Sequence, residues 1–82
     1  MTDDEIRATV LRVLGEIAPE ADLSTLDPRQ ELRRQLDLDS MDMLNFVVGL
    51  HEAFQVEIPE TDYPKYATLH DCVERLAAHV ST

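Results

Sequence analysis

The chain has few of the residues that most restrict a fold: its 82 residues include one cysteine, two glycines, four prolines and no tryptophan. With Cys72 alone, no internal disulfide can form, and a reducing, cytoplasmic compartment is the default expectation. The few glycines and prolines mark few turns, and no stretch has the pattern of a strand. The chain is therefore expected to be helical throughout.

Long apolar runs are also missing. No run approaches the ~18 residues needed to span a bilayer. The first apolar residues are interrupted by charged ones, among them Asp3, Glu5 and Arg7, so no secretory signal is expected. The chain begins with Met1, and its length predicts one free-standing domain over 1–82 with a thin core.

Basic residues are scarce as well: the chain has seven Lys and Arg against 17 Asp and Glu, which gives a net charge of −10. Such a chain is repelled by the phosphate backbone, which argues against nucleic acid as a partner. The same charge would steer a basic protein surface toward it, or would simply keep it soluble. An apolar content of 44% is too high for a disordered acidic tail.

The apolar spacing predicts an all-α fold, a small four-helix bundle of three main helices and one short helix. The first helix is predicted over about 3–17. Thr2 and Glu5 have the spacing of a capping box at its start, and Pro19 disfavours helical geometry at its end.

A long connection, about 19–38, follows this helix. Asp27-Pro28 has the pattern of a helix start, with Gln30 placed to complete the cap, so a short helix over 28–34 is predicted. Five leucines can pin the connection to the core: Leu23, Leu26, Leu32, Leu36 and Leu38.

The second main helix is predicted from Ser40 to about Phe54, with Asp39 as its N-cap. At about 100° per residue, one side of this helix is apolar and faces the core. That side comprises Met43, Phe46, Val47, Leu50 and Phe54. The opposite side comprises Met41, Asn45, Val48, Gly49 and Glu52.

The rest of the chain continues the helical pattern. A link ending in Ile58-Pro59 precedes a brief helix predicted over 61–66. Thr68 and Asp71 have capping-box spacing before the last helix. Its apolar face comprises Leu69, Cys72, Val73, Leu76 and Val80.

Two apolar residues on the outward side, Met41 and Val48, are two helical turns apart. Together with Asp42 and Glu52 they indicate a docking surface with apolar anchors flanked by acid. The alternative is chance exposure, because isolated exposed apolar residues are ordinary.

Ser40 lies at the start of the same helix, between Asp39 and Met41. An exposed serine there can be a second capping residue and nothing more, since serine is common at helix starts. The spacing alone favours that simpler interpretation.

The segment from Leu38 to Asp42, Leu-Asp-Ser-Met-Asp, resembles the Asp-Ser-Leu/Met signature of acyl carrier proteins. The resemblance continues through the following helix and the link Val56-Glu57-Ile58-Pro59, and it covers roughly 3–80. It implies that 4′-phosphopantetheine is esterified to the hydroxyl of Ser40 and carries an acyl group as a thioester. It also implies a carrier with no catalytic residues or resident metal of its own.

By the same resemblance, a separate phosphopantetheinyl transferase supplies the base, Mg²⁺ and coenzyme A, and Asp39 helps to bind that metal. Further partners would be acyl-synthesis or acyl-transfer enzymes with basic docking surfaces, and the carrier itself would be a monomer. The acyl chain often folds between the helices in this family. Candidate lining residues are Phe46, Val47, Leu50 and Ile58, all of which also fit the core.

The chain departs from the family pattern at three positions. Leu38 replaces the usual glycine of fatty acid synthesis carriers, and Asn45 and His51 stand where acids are common. A dedicated fatty acid, polyketide or specialised lipid pathway is therefore favoured. Two alternatives stay open: an aminoacyl or peptidyl carrier, such as a D-alanyl carrier, and an acidic helical interaction module without an arm.

Other sites fit poorly. A calcium loop counted from Asp37 would place Met41, Asp42 and Val48 at its fifth, sixth and twelfth positions, where an EF-hand needs an oxygen ligand, glycine and glutamate.

Cys72, His70 and His79 match no zinc spacing. A Ser–His hydrolase pair is improbable because His51 lies roughly 16 Å from Ser40 along the helix axis.

Overall fold

The computed structural model describes residues 1–80, and in that range it contains helices and no strand. The α-helices are α1 (Asp3–Ile17), α2 (Leu32–Gln35), α3 (Ser40–Phe54) and α4 (Leu69–Val80), with 3-10 segments at Leu23–Thr25 and Glu60–Tyr66. This confirms the predicted all-α fold. No helix in the described range is long and apolar enough to cross a membrane.

The start of α1 is fixed locally, as predicted. The Thr2 hydroxyl accepts the N–H of Glu5 at 3.2 Å, and the Glu5 carboxylate accepts the N–H of Thr2 at 2.8 Å. The helix ends before Pro19, where the Ala18 N–H still donates to the Leu14 carbonyl at 2.8 Å.

The three long helices pack around one core, with α1 against both α3 and α4. The buried side chains of these helices are Ile6, Val10, Val13, Leu14, Phe46, Val47, Leu50, Phe54, Leu69, Cys72, Val73 and Leu76. They include every predicted core position of α3 and α4 except Met43 and Val80, which are partly buried against the same core.

The prediction that Gly49 lies on the outward face was wrong. A Cβ at Gly49 would lie 2.7 Å from Cγ1 of Val13, so α1 crosses α3 at this residue and leaves no room for a side chain. Leu44, which was not assigned to the outward face, is 40% exposed.

The short helix predicted over 28–34 was also misplaced, since α2 covers Leu32–Gln35. Asp27 forms a turn instead: its carboxylate accepts the N–H of Arg29 at 2.9 Å. The side chain that bonds to Asp27 is Gln35 and not the predicted Gln30. The Gln35 amide pairs with both the N–H and the C=O of Asp27 at 2.8 Å. Four of the five leucines pack with the core as predicted: Leu32 lies in it, and Leu23, Leu26 and Leu36 are partly buried against it. Leu38 is buried but lies outside this cluster.

The connection is tied by its backbone to the start of α4. The Leu32 N–H donates to the Ala67 carbonyl at 2.9 Å, and the His70 N–H donates to the Pro28 carbonyl at 2.8 Å. The brief helix predicted over 61–66 is the 3-10 helix Glu60–Tyr66. These bonds hold the backbone at the start of α2 beside the start of α4.

Candidate functional site

The N-terminus of α3 is closed by a capping box. Asp39 is extended, with φ −90° and ψ −178°, and its Oδ1 accepts the N–H of Asp42 at 2.8 Å. In return, Oδ2 of Asp42 accepts the N–H of Asp39 at 3.2 Å. Asp39 therefore caps α3 as predicted, and Ser40 is the first residue of this helix.

Ser40 is exposed, and its hydroxyl is not used for capping. The hydroxyl oxygen accepts a hydrogen bond from Nη2 of Arg33, with the two atoms 3.3 Å apart. Arg33 was missed in the sequence. It lies seven positions before Ser40 in α2, and helical spacing does not predict contacts between side chains of two different helices.

A hollow of about 280 Å³ opens beside Ser40, between α3 and the 3-10 helix Glu60–Tyr66, and is called the side hollow below. Its apolar lining comprises Met43, Leu44, Val47, Tyr63, Pro64 and Ala67, and its polar lining comprises Glu31, Arg33 and Ser40.

Of the predicted acyl-lining residues, only Val47 lines the side hollow. Phe46 and Leu50 are fully buried in the helix core, and Ile58 packs against that core without lining the hollow. The helical projection could not distinguish the two environments, because the far wall comes from the 3-10 helix.

A larger hollow of about 630 Å³ lies near the end of α1, but its lining does not include Ser40. Four carboxylates line it: Glu20, Asp22, Asp37 and Asp42. These negative charges disfavour an anionic group such as a phosphodiester.

The outward side of α3 exposes three large apolar residues: Met41 at 62%, Leu44 at 40% and Val48 at 41%. The exposure of Met41 and Val48 was predicted, and Leu44 was missed although it lies only about 60° from Met41 around the helix. Glu52 is exposed beside them, whereas Asp42 is half-buried and its carboxylate closes the cap.

Leu38 and His51, two positions at which the chain departs from the family pattern, both have structural roles next to α3. Leu38 is buried, and the left-handed backbone conformation before α3 is at Asp37, where φ is 52°. Nδ1 of His51 donates to the Val56 carbonyl at 2.5 Å, so this ring fastens the far end of α3.

A family model described as the phosphopantetheine attachment site matches residues 4–80. The acyl carrier protein of Rubrobacter xylanophilus is 30% identical over 76 residues, which is 89% of this chain and 94% of the relative. The acyl carrier protein of Lactobacillus johnsonii is 31% identical over 80 residues, 96% of this chain and 98% of the relative. That of Helicobacter hepaticus is 28% identical over 78 residues, 95% and 96% of the two chains. With a match over nearly its whole length, this chain belongs to the acyl carrier protein family, and its cofactor is 4′-phosphopantetheine.

Proposed function

We propose that this protein carries acyl groups as thioesters on a phosphopantetheine arm esterified to Ser40, and that it serves partner enzymes without catalysing a step itself. The observation that carries the proposal is the position of the Ser40 hydroxyl. It is exposed, it makes no capping hydrogen bond, and it lies at the start of a helix that Asp39 caps.

The residues around Ser40 fit a phosphodiester. A helix N-terminus favours a negative group, because its first N–H groups and the helix dipole are positive there. The Ser40 hydroxyl supplies the oxygen of the ester, and the arm when attached supplies the thiol that forms the thioester. Ser40 needs no base within this chain if a transferase provides one.

Asp39 is proposed to have two roles. Its Oδ1 caps α3, and no hydrogen bond of its other carboxylate oxygen is found within residues 1–80. That second oxygen is therefore available to help bind Mg²⁺ in the complex with the transferase.

The side hollow supports an acyl cargo over an aminoacyl one. Most of its lining is apolar, and it opens beside the residue that bears the arm. Burial of an apolar acyl chain in this hollow is favourable by roughly 25 cal/mol for each Å² of apolar surface removed from water. Burial of the charged amino group of an aminoacyl cargo would be unfavourable. A cytoplasmic location belongs to the same proposal, since an unpaired Cys72 suits a reducing compartment.

The docking surface is proposed to be the outward side of α3, with Met41, Leu44 and Val48 as apolar anchors. Asp42 and Glu52 are the predicted acidic flanks, and the net charge of −10 favours partners with basic surfaces. Enzymes of acyl synthesis or transfer with such surfaces are the proposed partners.

The test is intact mass spectrometry after incubation with coenzyme A, Mg²⁺ and a broad-specificity phosphopantetheinyl transferase. Wild type is compared with Ser40→Ala and with Ser24→Ala, a matched control whose serine lies in the 3-10 turn Leu23–Thr25, outside α3. We expect one phosphopantetheine increment on wild type and Ser24→Ala and none on Ser40→Ala.

An increment on Ser40→Ala would reject Ser40 as the attachment site. If folded wild type gains no increment, even with transferases of several specificities, the carrier proposal fails. The interaction module without an arm then becomes the better account. Digestion of loaded protein purified from its native host, followed by mass analysis of the arm, distinguishes acyl from aminoacyl cargo.

A further inference from the structure

We propose that Arg33 binds the phosphodiester of the arm and holds the arm over the side hollow. The inference rests on the proposed attachment at Ser40. It assigns to α2, an element outside the serine signature, a direct role in positioning the cofactor.

The geometry begins with the hydrogen bond between Nη2 of Arg33 and Oγ of Ser40, which are 3.3 Å apart. In the ester, phosphorus is bonded directly to that Oγ, so the phosphate oxygens come within reach of the same guanidinium. A guanidinium presents five N–H donors in a planar fork that matches phosphate. The long contact with a neutral hydroxyl is thereby replaced by hydrogen bonds in which both the guanidinium donor and the phosphate acceptor are charged.

The negative charges near Ser40 favour a cation beside the phosphodiester, in addition to the positive end of the α3 dipole. The carboxylates of Asp39 and Asp42 already occupy the start of α3, where they take up N–H groups that an anion could otherwise use. The phosphodiester adds a third negative charge beside them. None of the ion pairs found within residues 1–80 involves Arg33, so its charge is not neutralised by a carboxylate there.

The backbone holds Arg33 in position. After α2 the chain turns through Asp37 in the left-handed conformation, with φ 52°. The Leu38 N–H donates to the Arg33 carbonyl at 2.9 Å, and the Asp37 N–H donates to the Arg34 carbonyl at 3.4 Å. This pair of bonds is the Schellman motif. It links the residue that bears the guanidinium to the residues that lead into Ser40.

Arg33 also lines the side hollow together with Ser40 and the apolar residues of α3. A phosphodiester held by Arg33 therefore directs the arm toward this hollow rather than along the outward side of α3.

The experiment compares wild type, Arg33→Ala, Arg33→Lys and Arg34→Ala, each as apo protein and after exhaustive loading verified by intact mass. Arg34 is the matched control: it is the next residue of α2 and has the same charge, but it has no hydrogen bond to Ser40 in the structure. Urea unfolding followed by circular dichroism gives the ratio of the apo to the holo unfolding constant, and ³¹P NMR reports the phosphodiester directly.

We expect this ratio to be about two- to fivefold larger in wild type than in Arg33→Ala, the size of an exposed charge pair. Arg34→Ala should resemble wild type, and Arg33→Lys should lie between, since lysine keeps the charge but loses the fork. The ³¹P resonance should move in Arg33→Ala and not in Arg34→Ala. In ~1 M salt, where the Debye length is ~3 Å, the difference between variants should shrink.

Equal ratios and equal ³¹P shifts for Arg33→Ala and Arg34→Ala would overturn the inference while leaving the attachment at Ser40 intact. Failure of wild type to load would be seen earlier, by mass, and would overturn the proposed function together with the inference. If apo Arg33→Ala does not fold, the Arg33→Lys comparison decides, because an unchanged ratio and resonance there would contradict the fork geometry.

Discussion

Substitution of Gly49 by alanine tests the contact that sets the crossing of α1 and α3. The added Cβ would lie 2.7 Å from Cγ1 of Val13, well inside van der Waals contact. Val13 is only 4% exposed and β-branched, so its side chain has one favoured rotamer in a helix and cannot move aside easily. The helices must therefore separate or the alanine must strain the packing.

Two opposing effects decide the magnitude. Alanine is better than glycine in a helix interior by about 1 kcal/mol. Overpacking a well-filled core costs typically about 1–3 kcal/mol, with a midpoint of about 2. The difference is a net loss of about 1 kcal/mol, which corresponds to a fall in Tm of roughly 4–8 °C for a domain of this size.

Gly15→Ala is the matched control. It is the only other glycine, it also lies in a long helix, and its added Cβ would meet Leu23 Cδ1 at an ordinary 3.8 Å. Here the helix preference is unopposed, so we expect a gain of up to about 1 kcal/mol.

The assay is urea and thermal unfolding of both variants and of Val13→Ala with and without Gly49→Ala. Because Val13→Ala removes the clashing methyl, the double variant should be more stable than the sum of the single effects by about 1 kcal/mol or more. A Gly49→Ala protein stabilised as much as Gly15→Ala, with additive effects in the double variant, would refute the close-approach argument.

Asp39→Asn should keep the cap and change the unfolding free energy by less than about 0.5 kcal/mol, whereas Asp39→Ala should lose about 1 kcal/mol. If the second carboxylate oxygen serves the transferase metal, both variants should load slowly under mass spectrometry, and normal loading of Asp39→Asn would contradict that role. Burial raises the pKa of Cys72 from 9.0 to about 12, so this thiol should resist maleimide at pH 8 while the arm thiol reacts. Because the pKa of Cys72 is higher in the folded than in the unfolded protein, the contribution of the protonated thiol to the free energy of unfolding is complete below pH ~9. That contribution is lost as the pH rises toward 12. A pH titration of unfolding for wild type and Cys72→Ala checks this, and equal alkaline slopes would count against it.

The sequence by itself determined the features that depend on near neighbours. The capping box of Thr2 with Glu5 and the N-cap Asp39 act over three positions, so local sequence was enough to predict where α1 and α3 begin. The return bond from Asp42 to Asp39 was not predicted. Periodicity placed the core faces of the long helices for the same reason. The exposed position of Ser40 followed directly from the predicted start of α3.

Only the tertiary structure decided the features that join distant segments. Gly49 was assigned to the wrong face because its role depends on Val13 of another helix. The short helix was misplaced because the side chain of Gln35 pairs with the backbone of Asp27, eight residues away. The contact of Arg33 with Ser40 and the side hollow both depend on where irregular segments settle. No periodicity governs such segments, since their positions are set by leucine burial and by backbone hydrogen bonds that form only when the bundle closes.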